Sequence, residues 1–200
     1  MSSLIGHGLV GGAIGWVMYR DRAPASLRRS IWLGWLIIIA LIPDLDYVVP
    51  VLYPSANNGL RISHSLIFSA ALPVFTLASL VISGAGRDSL WRSSIPLFFA
   101  GYSHVGMDWL VGVTPLPLLW PVSDRRFRLP FGLLPSAGKI SLYNYYFYYN
   151  LGIELGVLLP LIGCALISRS RLSLQQKWAV RGLLLLVAAY FMHWAYGLSR

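Results

Sequence analysis

Apolar residues run through this chain in six long blocks separated by polar breaks, at 4–19, 31–53, 64–82, 94–119, 151–168 and 181–198. A helix needs about 20 apolar residues to cross a hydrocarbon core about 30 Å thick. Each block therefore reads as a transmembrane helix, the first of them short. The expected fold is all-α: a polytopic membrane helix bundle of about six helices, some short or broken, forming one integral membrane domain over 1–200. Gly8, Gly11, Gly12 and Gly15 give the first block the small-residue spacing that lets helices approach closely. A signal peptide does not fit that block, because no positive charge precedes it and Arg20-Asp21-Arg22 follows it. In the longest break, 120–150, Tyr143, Tyr145, Tyr146, Tyr148 and Tyr149 suit an interfacial belt. No internal repeat, low-complexity tract or soluble domain is visible.

Composition agrees with the pattern. Hydrophobic residues make up 56% and charged residues 12%, against ~25% charged in an ordinary soluble domain. That excludes a soluble enzyme, a disordered tail and a collagen-like fibre. Sixteen bases against seven acids leave a net charge of +9. In a membrane protein such charge marks cytoplasmic loops and anionic headgroups. Membrane lipids, not nucleic acid, are the expected partners. Loops 20–30, 83–93 and 169–181 hold ten Lys and Arg, and the opposite side holds six. The positive-inside bias then puts those three loops in the cytoplasm and both termini outside. The single cysteine, Cys164, sits in an apolar run and reads as a small buried hydrophobe.

The polar residues inside the blocks carry the chemistry. Following the chain through six alternating crossings, His7, Asp44, Asp46, His64, His104, Asp108, Glu154 and His193 all fall in the same half of the membrane. Insertion scales put the cost of an Asp near mid-bilayer at about 3 kcal/mol, so Asp44, Asp46 and Asp108 as isolated charges would cost on the order of 10 kcal/mol. Neither Lys nor Arg shares their blocks to offset this. Histidine nitrogen and carboxylate oxygen suit a divalent ion, whether Zn, Mn, Fe or Mg. His104 and Asp108 stand at i,i+4 and share one helix face. Asp44 and Asp46 stand at i,i+2, and Pro43 loosens the helix before them. An irregular backbone there lets both acids converge, or lets each serve a different partner. Glu154 also suits an interfacial carboxylate, His193 beside Trp194 suits an interfacial residue, and Asp124 suits an ion pair with Arg125 or Arg126.

At these residues the sequence resembles the YdjM/YbcI-like family of bacterial and archaeal inner-membrane proteins, described as membrane-bound metal-dependent hydrolases. The family pattern is an N-terminal helix His, a PD-x-D block, an HR-x-x-THS-like block and H-x-x-x-D. Here it reads His7, Pro43-Asp44-Leu45-Asp46, Arg61-Ile62-Ser63-His64-Ser65 and His104-Val105-Gly106-Met107-Asp108, within about residues 1–135, with additional helices at 151–200. The family block often has a further His before its Arg, where this chain has Gly59-Leu60. The resemblance implies metal binding at a bacterial inner membrane.

The expected activity is metal-dependent hydrolysis at the outer leaflet, with one or two divalent ions drawn from ligands His7, Asp44, Asp46, His64, His104 and Asp108. Metal-activated water would attack, and Asp46 or Glu154 would act as general base. Arg61 and the Arg125, Arg126 and Arg128 cluster would hold the phosphate of a phosphoester or lipid-linked substrate. The rival expectation is a metal-ion or proton-coupled transporter built on the same residues. A path across the membrane would carry polar groups through its full depth, whereas here the cytoplasmic half is nearly devoid of acids and histidines.

Overall fold

A computed structural model of the chain describes residues 1–24, 28–47, 60–138 and 143–198. The end of the second apolar block (48–53), Gly59 and Lys139 lie outside the described residues. Within them the chain is all-helical. Its α-helices are α1 (Leu4–Arg22), α2 (Arg29–Leu41), α3 (Leu66–Ile82), α4 (Arg87–Val111), α5 (Tyr145–Leu166) and α6 (Leu174–Tyr196). Short 3-10 turns cover Ile42–Tyr47, Ile62–His64 and Ile167–Arg169.

Among the described residues two helices, Tyr145–Arg169 (α5 with its 3-10 continuation) and Leu174–Tyr196 (α6), are long and apolar enough to cross a membrane. The other four differ from their apolar blocks for local reasons. Pro43 has no N–H for an α-helical bond to Ile39 or a 3-10 bond to Ala40. The α-helix accordingly stops after 13 residues and tightens into the turn Ile42–Tyr47. The apolar stretches of α1 and α3 are Leu4–Tyr19 and Leu66–Ile82, both short of spanning length. Its first turns give α4 Arg87, Asp88 and Arg92. That helix ends before residues 112–119, because Gly112 turns out of it at φ +67°. A Cβ at Gly112 would lie 2.1 Å from the Phe131 carbonyl oxygen, so only glycine fits.

The chain divides into two compact units. One comprises His7–Gly106 and Pro115–Arg128. Its core is Trp32, Leu36, Ile39, Leu97 and Ala100, each fully buried. The helices of this unit touch through glycine. A Cβ on Gly11 would lie 2.8 Å from Ala40 Cβ and from the Leu36 carbonyl, and one on Gly15 would lie 2.7 Å from Leu33. Gly101 of α4 meets the Ser69 carbonyl of α3 in the same way, at 2.3 Å. Trp35 Nε1 donates to Thr76 Oγ1 at 3.0 Å, which pins α2 to α3. After α4 the chain returns as a loop in which Leu116 and Phe127 exchange two backbone hydrogen bonds of 2.9 and 2.8 Å. The carbonyl of Leu118 accepts from Leu66 N at 3.1 Å, tying this loop to the start of α3.

The other unit comprises Met1–Gly6, Met107–Thr114 and Leu129–Arg200. In it α5 and α6 form an antiparallel pair, with Gly156 against Phe191 and Gly163 against Leu184. Trp194 Nε1 donates to the Tyr149 hydroxyl at 2.9 Å. One end of the pair carries Tyr145, Tyr146, Tyr190 and Trp194, all exposed, and the other carries Arg169, Arg171 and Lys177. The first residues of the chain are held in this unit by backbone and acid. Ala137 N donates to the Met1 carbonyl at 2.9 Å. Glu154, 1% exposed, accepts from Ser2 Oγ and from Ser3 N. Ser3 in turn caps the start of α1 by accepting from Gly6 N at 2.9 Å.

Candidate metal centre

Four segments of the first unit bring their polar residues to one place. His7 lies in the first turn of α1, Asp44 in the 3-10 turn after α2, His64 just before α3, and His104 in the second half of α4. All four are buried, the histidines completely. The His7 ring stacks flat on His104, with centroids 3.8 Å apart, and His7 Nε2 lies 4.0 Å from Asp44 Oδ2.

The tightest convergence is at Asp44 Oδ1. It lies 3.7 Å from His64 Nε2 and 3.6 Å from His104 Nε2, and those two nitrogens are 3.3 Å apart. Ligand atoms about 2.0–2.2 Å from a tetrahedral zinc stand about 3.3–3.6 Å apart. The three observed separations match a single ion to within a tenth or two of an ångström. Among the described residues no lysine or arginine pairs with Asp44, whose carboxylate is 3% exposed.

Both histidines are turned so that Nε2 faces inward, and in each the reason is the partner of Nδ1. His104 Nδ1 lies 2.8 Å from the Ala40 carbonyl, which can only accept, so Nδ1 carries the proton and Nε2 is the nitrogen turned to the centre. That carbonyl is available because Pro43, three residues on, has no N–H to give it. His64 Nδ1 faces Ser63 Oγ at 2.9 Å and Asp46 Oδ2 at 3.5 Å.

Asp108 follows His104 by one turn of the unbroken α4 and presents its carboxylate from the same helix face. It is 1% exposed, and Oδ1 accepts from Ser2 N at 2.8 Å. Asp44, His64, His104 and Asp108 thus make up a buried group of the kind that can hold a metal ion.

The 3-10 turn parts the two acids of Pro43-Asp44-Leu45-Asp46, sending them to opposite nitrogens of His64. Asp44 faces Nε2, and Asp46 faces Nδ1. Arg61 grips Asp46 through both Nε and a terminal nitrogen, the former at 2.7 Å. Glu154 lies in the other unit, engaged by Ser2 and Ser3. Arg125, Arg126 and Arg128 are exposed on the 115–128 loop, with the Arg125 guanidinium 5.6 Å from the Phe127 ring. His193 and Asp124 are exposed. Three contributors were not singled out from the sequence pattern: Ser63, Ser2 and the Ala40 carbonyl. Ser63 is adjacent to a ligand-type histidine, which is the one hint available; the other two act across 64 and 106 residues of chain.

The family model described as YdjM inner membrane protein matches residues 1–196. The chain belongs to that family. Neither the curated proteins nor the solved structures yield a match.

Proposed function

We propose that this member of the YdjM inner membrane protein family is a membrane-embedded, metal-dependent hydrolase acting on a phosphoester or lipid-linked phosphate. The observation that carries the reading is the convergence of Asp44 Oδ1, His64 Nε2 and His104 Nε2 at 3.3–3.7 Å. Asp108 supplies the fourth ligand from the next turn of α4. Two histidines and two carboxylates suit zinc, manganese or iron. A divalent ion held there would polarise a phosphoryl oxygen and bring the pKa of water down toward about 7.

The remaining residues have roles that follow from their chemistry. Arg61, with 17% of its side chain exposed, reaches from the buried group toward solvent. It suits a phosphate oxygen as well as a carboxylate, because its donors form a planar fork. Arg125, Arg126 and Arg128 are exposed on the loop tied to the start of α3, two residues beyond His64, and would add further phosphate-binding charge. His7 packs on His104 and keeps that ring in plane. Asp46 and Glu154 receive holding roles, because Arg61 and Ser63 occupy the one and Ser2 and Ser3 the other. In the membrane, α1 to α4 join α5 and α6 as six crossings. The ends bearing Arg87, Arg92, Arg169 and Arg171 face the cytoplasm, and the metal group faces the opposite side.

Detergent-purified protein tests this by elemental analysis alongside a panel of phosphoesters and phospholipids. Wild type should carry about one divalent ion per chain, while His104→Ala and Asp108→Ala should retain under about a tenth of it and still reside in the membrane. Equal metal content in wild type and both variants would overturn the reading.

A further inference from the structure

Asp46 sits beside the metal group but faces away from its centre, and the hydrogen bonds around it have a forced direction. A carboxylate accepts only, so Ser63 Oγ–H donates to Asp46 Oδ2, at 2.8 Å. With its proton committed, Ser63 Oγ offers a lone pair to His64 Nδ1, 2.9 Å away, and Nδ1 must carry the proton. Arg61 closes the chain by donating to both carboxylate oxygens of Asp46. The order is fixed from end to end: His64 Nδ1–H to Ser63, Ser63 O–H to Asp46, Asp46 held by Arg61. The chain is largely shielded from water, with Ser63 6% and Asp46 8% exposed.

We infer that Asp46, Ser63 and Arg61 are positioning residues, an outer relay that fixes the tautomer and ring angle of His64 and so aims its Nε2 at the metal. This rests on the proposed metal reading. It gives Asp46 a different part from Asp44, although the two are separated by a single residue. The local backbone explains how. A 3-10 turn advances about 120° per residue, so residues two apart point to different sides. Arg61 caps the second 3-10 turn, Ile62–His64, so Arg61, Ser63 and His64 fall within four consecutive residues. His104 reaches the same end by another route, its Nδ1 fixed by the Ala40 carbonyl. Each histidine of the group therefore has its own orienting partner, one a backbone oxygen and one a serine–carboxylate–arginine chain. Such outer partners typically change metal affinity 10–100-fold without being ligands.

The test is a titration of the metal-stripped, full-length protein in detergent with Zn²⁺ and, separately, Co²⁺, reading stoichiometry, affinity and the Co²⁺ visible spectrum. Ser63→Ala and Asp46→Asn should weaken binding 10–100-fold while still taking up the wild-type number of ions, with a shifted Co²⁺ spectrum. Ser63→Thr keeps the hydroxyl and should restore affinity to within about threefold of wild type, which loss of packing alone would not allow. Asp44→Asn, as the ligand control, should lose the ion. Wild-type affinity and spectrum in Ser63→Ala would overturn the relay. Loss of the ion in Asp46→Asn to the extent seen in Asp44→Asn would overturn it too, by making Asp46 a ligand. If wild type itself takes up no ion, the metal reading falls and the relay with it, whereas the first two outcomes leave the metal reading standing.

Discussion

At the residue scale, the site depends on what backbone and side-chain donors are denied as much as on what they are given. Pro43 withholds an N–H from the Ala40 carbonyl, and His104 Nδ1 takes the vacancy at 2.8 Å. Pro43→Ala should therefore weaken metal binding about tenfold, by giving that carbonyl a competing donor and freeing the His104 ring. Thermal unfolding of the metal-free variant should stay at or above that of wild type, since removing a proline favours the helix. Unchanged affinity in the titration would mean the carbonyl does not orient His104. The residue types and spacings of this site were legible in the sequence. An i,i+4 His and Asp on a helix share a face whatever surrounds them, and buried acids without bases need partners. What each nitrogen bonds to was not legible, because Ala40 and His104 meet across 64 residues. The split of Asp44 from Asp46 was likewise open, since residues two apart diverge on a regular turn but can converge on an irregular one.

At the scale of elements, the position of His7 is set by how closely α1 can approach α2. Gly11 and Gly15 are the contact points, whereas a Cβ on Gly8 would stand a comfortable 3.9 Å from Ile37. Gly11→Ala must push against the Leu36 carbonyl and should cost about 1–3 kcal/mol in stability. His7 lies one turn before Gly11, so its stacking on His104 should loosen, and metal affinity should fall as well. Gly8→Ala should leave both melting temperature and affinity unchanged, and identical behaviour of the two variants would refute the contact. The glycine spacing in the first block announced close packing, though not which of its two overlapping pairs makes it. Helix ends were less legible than helix existence. The fourth block read as 94–119, yet α4 runs Arg87–Val111. Polar residues in its first turns are carried by the helix, while the apolar run after Gly112 is held as a loop by backbone bonds to partners far along the chain.

For the molecule as a whole, α5 and α6 provide the plainest reading of membrane sidedness. Their pair has an aromatic end and a basic end, and the proposed topology directs the basic end to the cytoplasm. With Cys164 replaced by Ala, Leu172→Cys should resist a membrane-impermeant maleimide in intact cells, and Tyr143→Cys should react. The reverse pattern would invert the proposed topology.

The buried carboxylate of Asp44 has a consequence for the life of the protein in the cell. A carboxylate packed among three imidazoles is costly where water cannot reach it, so on the proposed reading an ion does more than catalyse. It acts as a cohesive part that joins four helical segments after they have entered the membrane, and its binding energy becomes assembly energy. Newly inserted chains would then mature only as fast as the cell delivers metal to that side of the bilayer. Those left waiting would expose loosely packed helices to membrane proteases, making abundance of this protein a readout of metal supply.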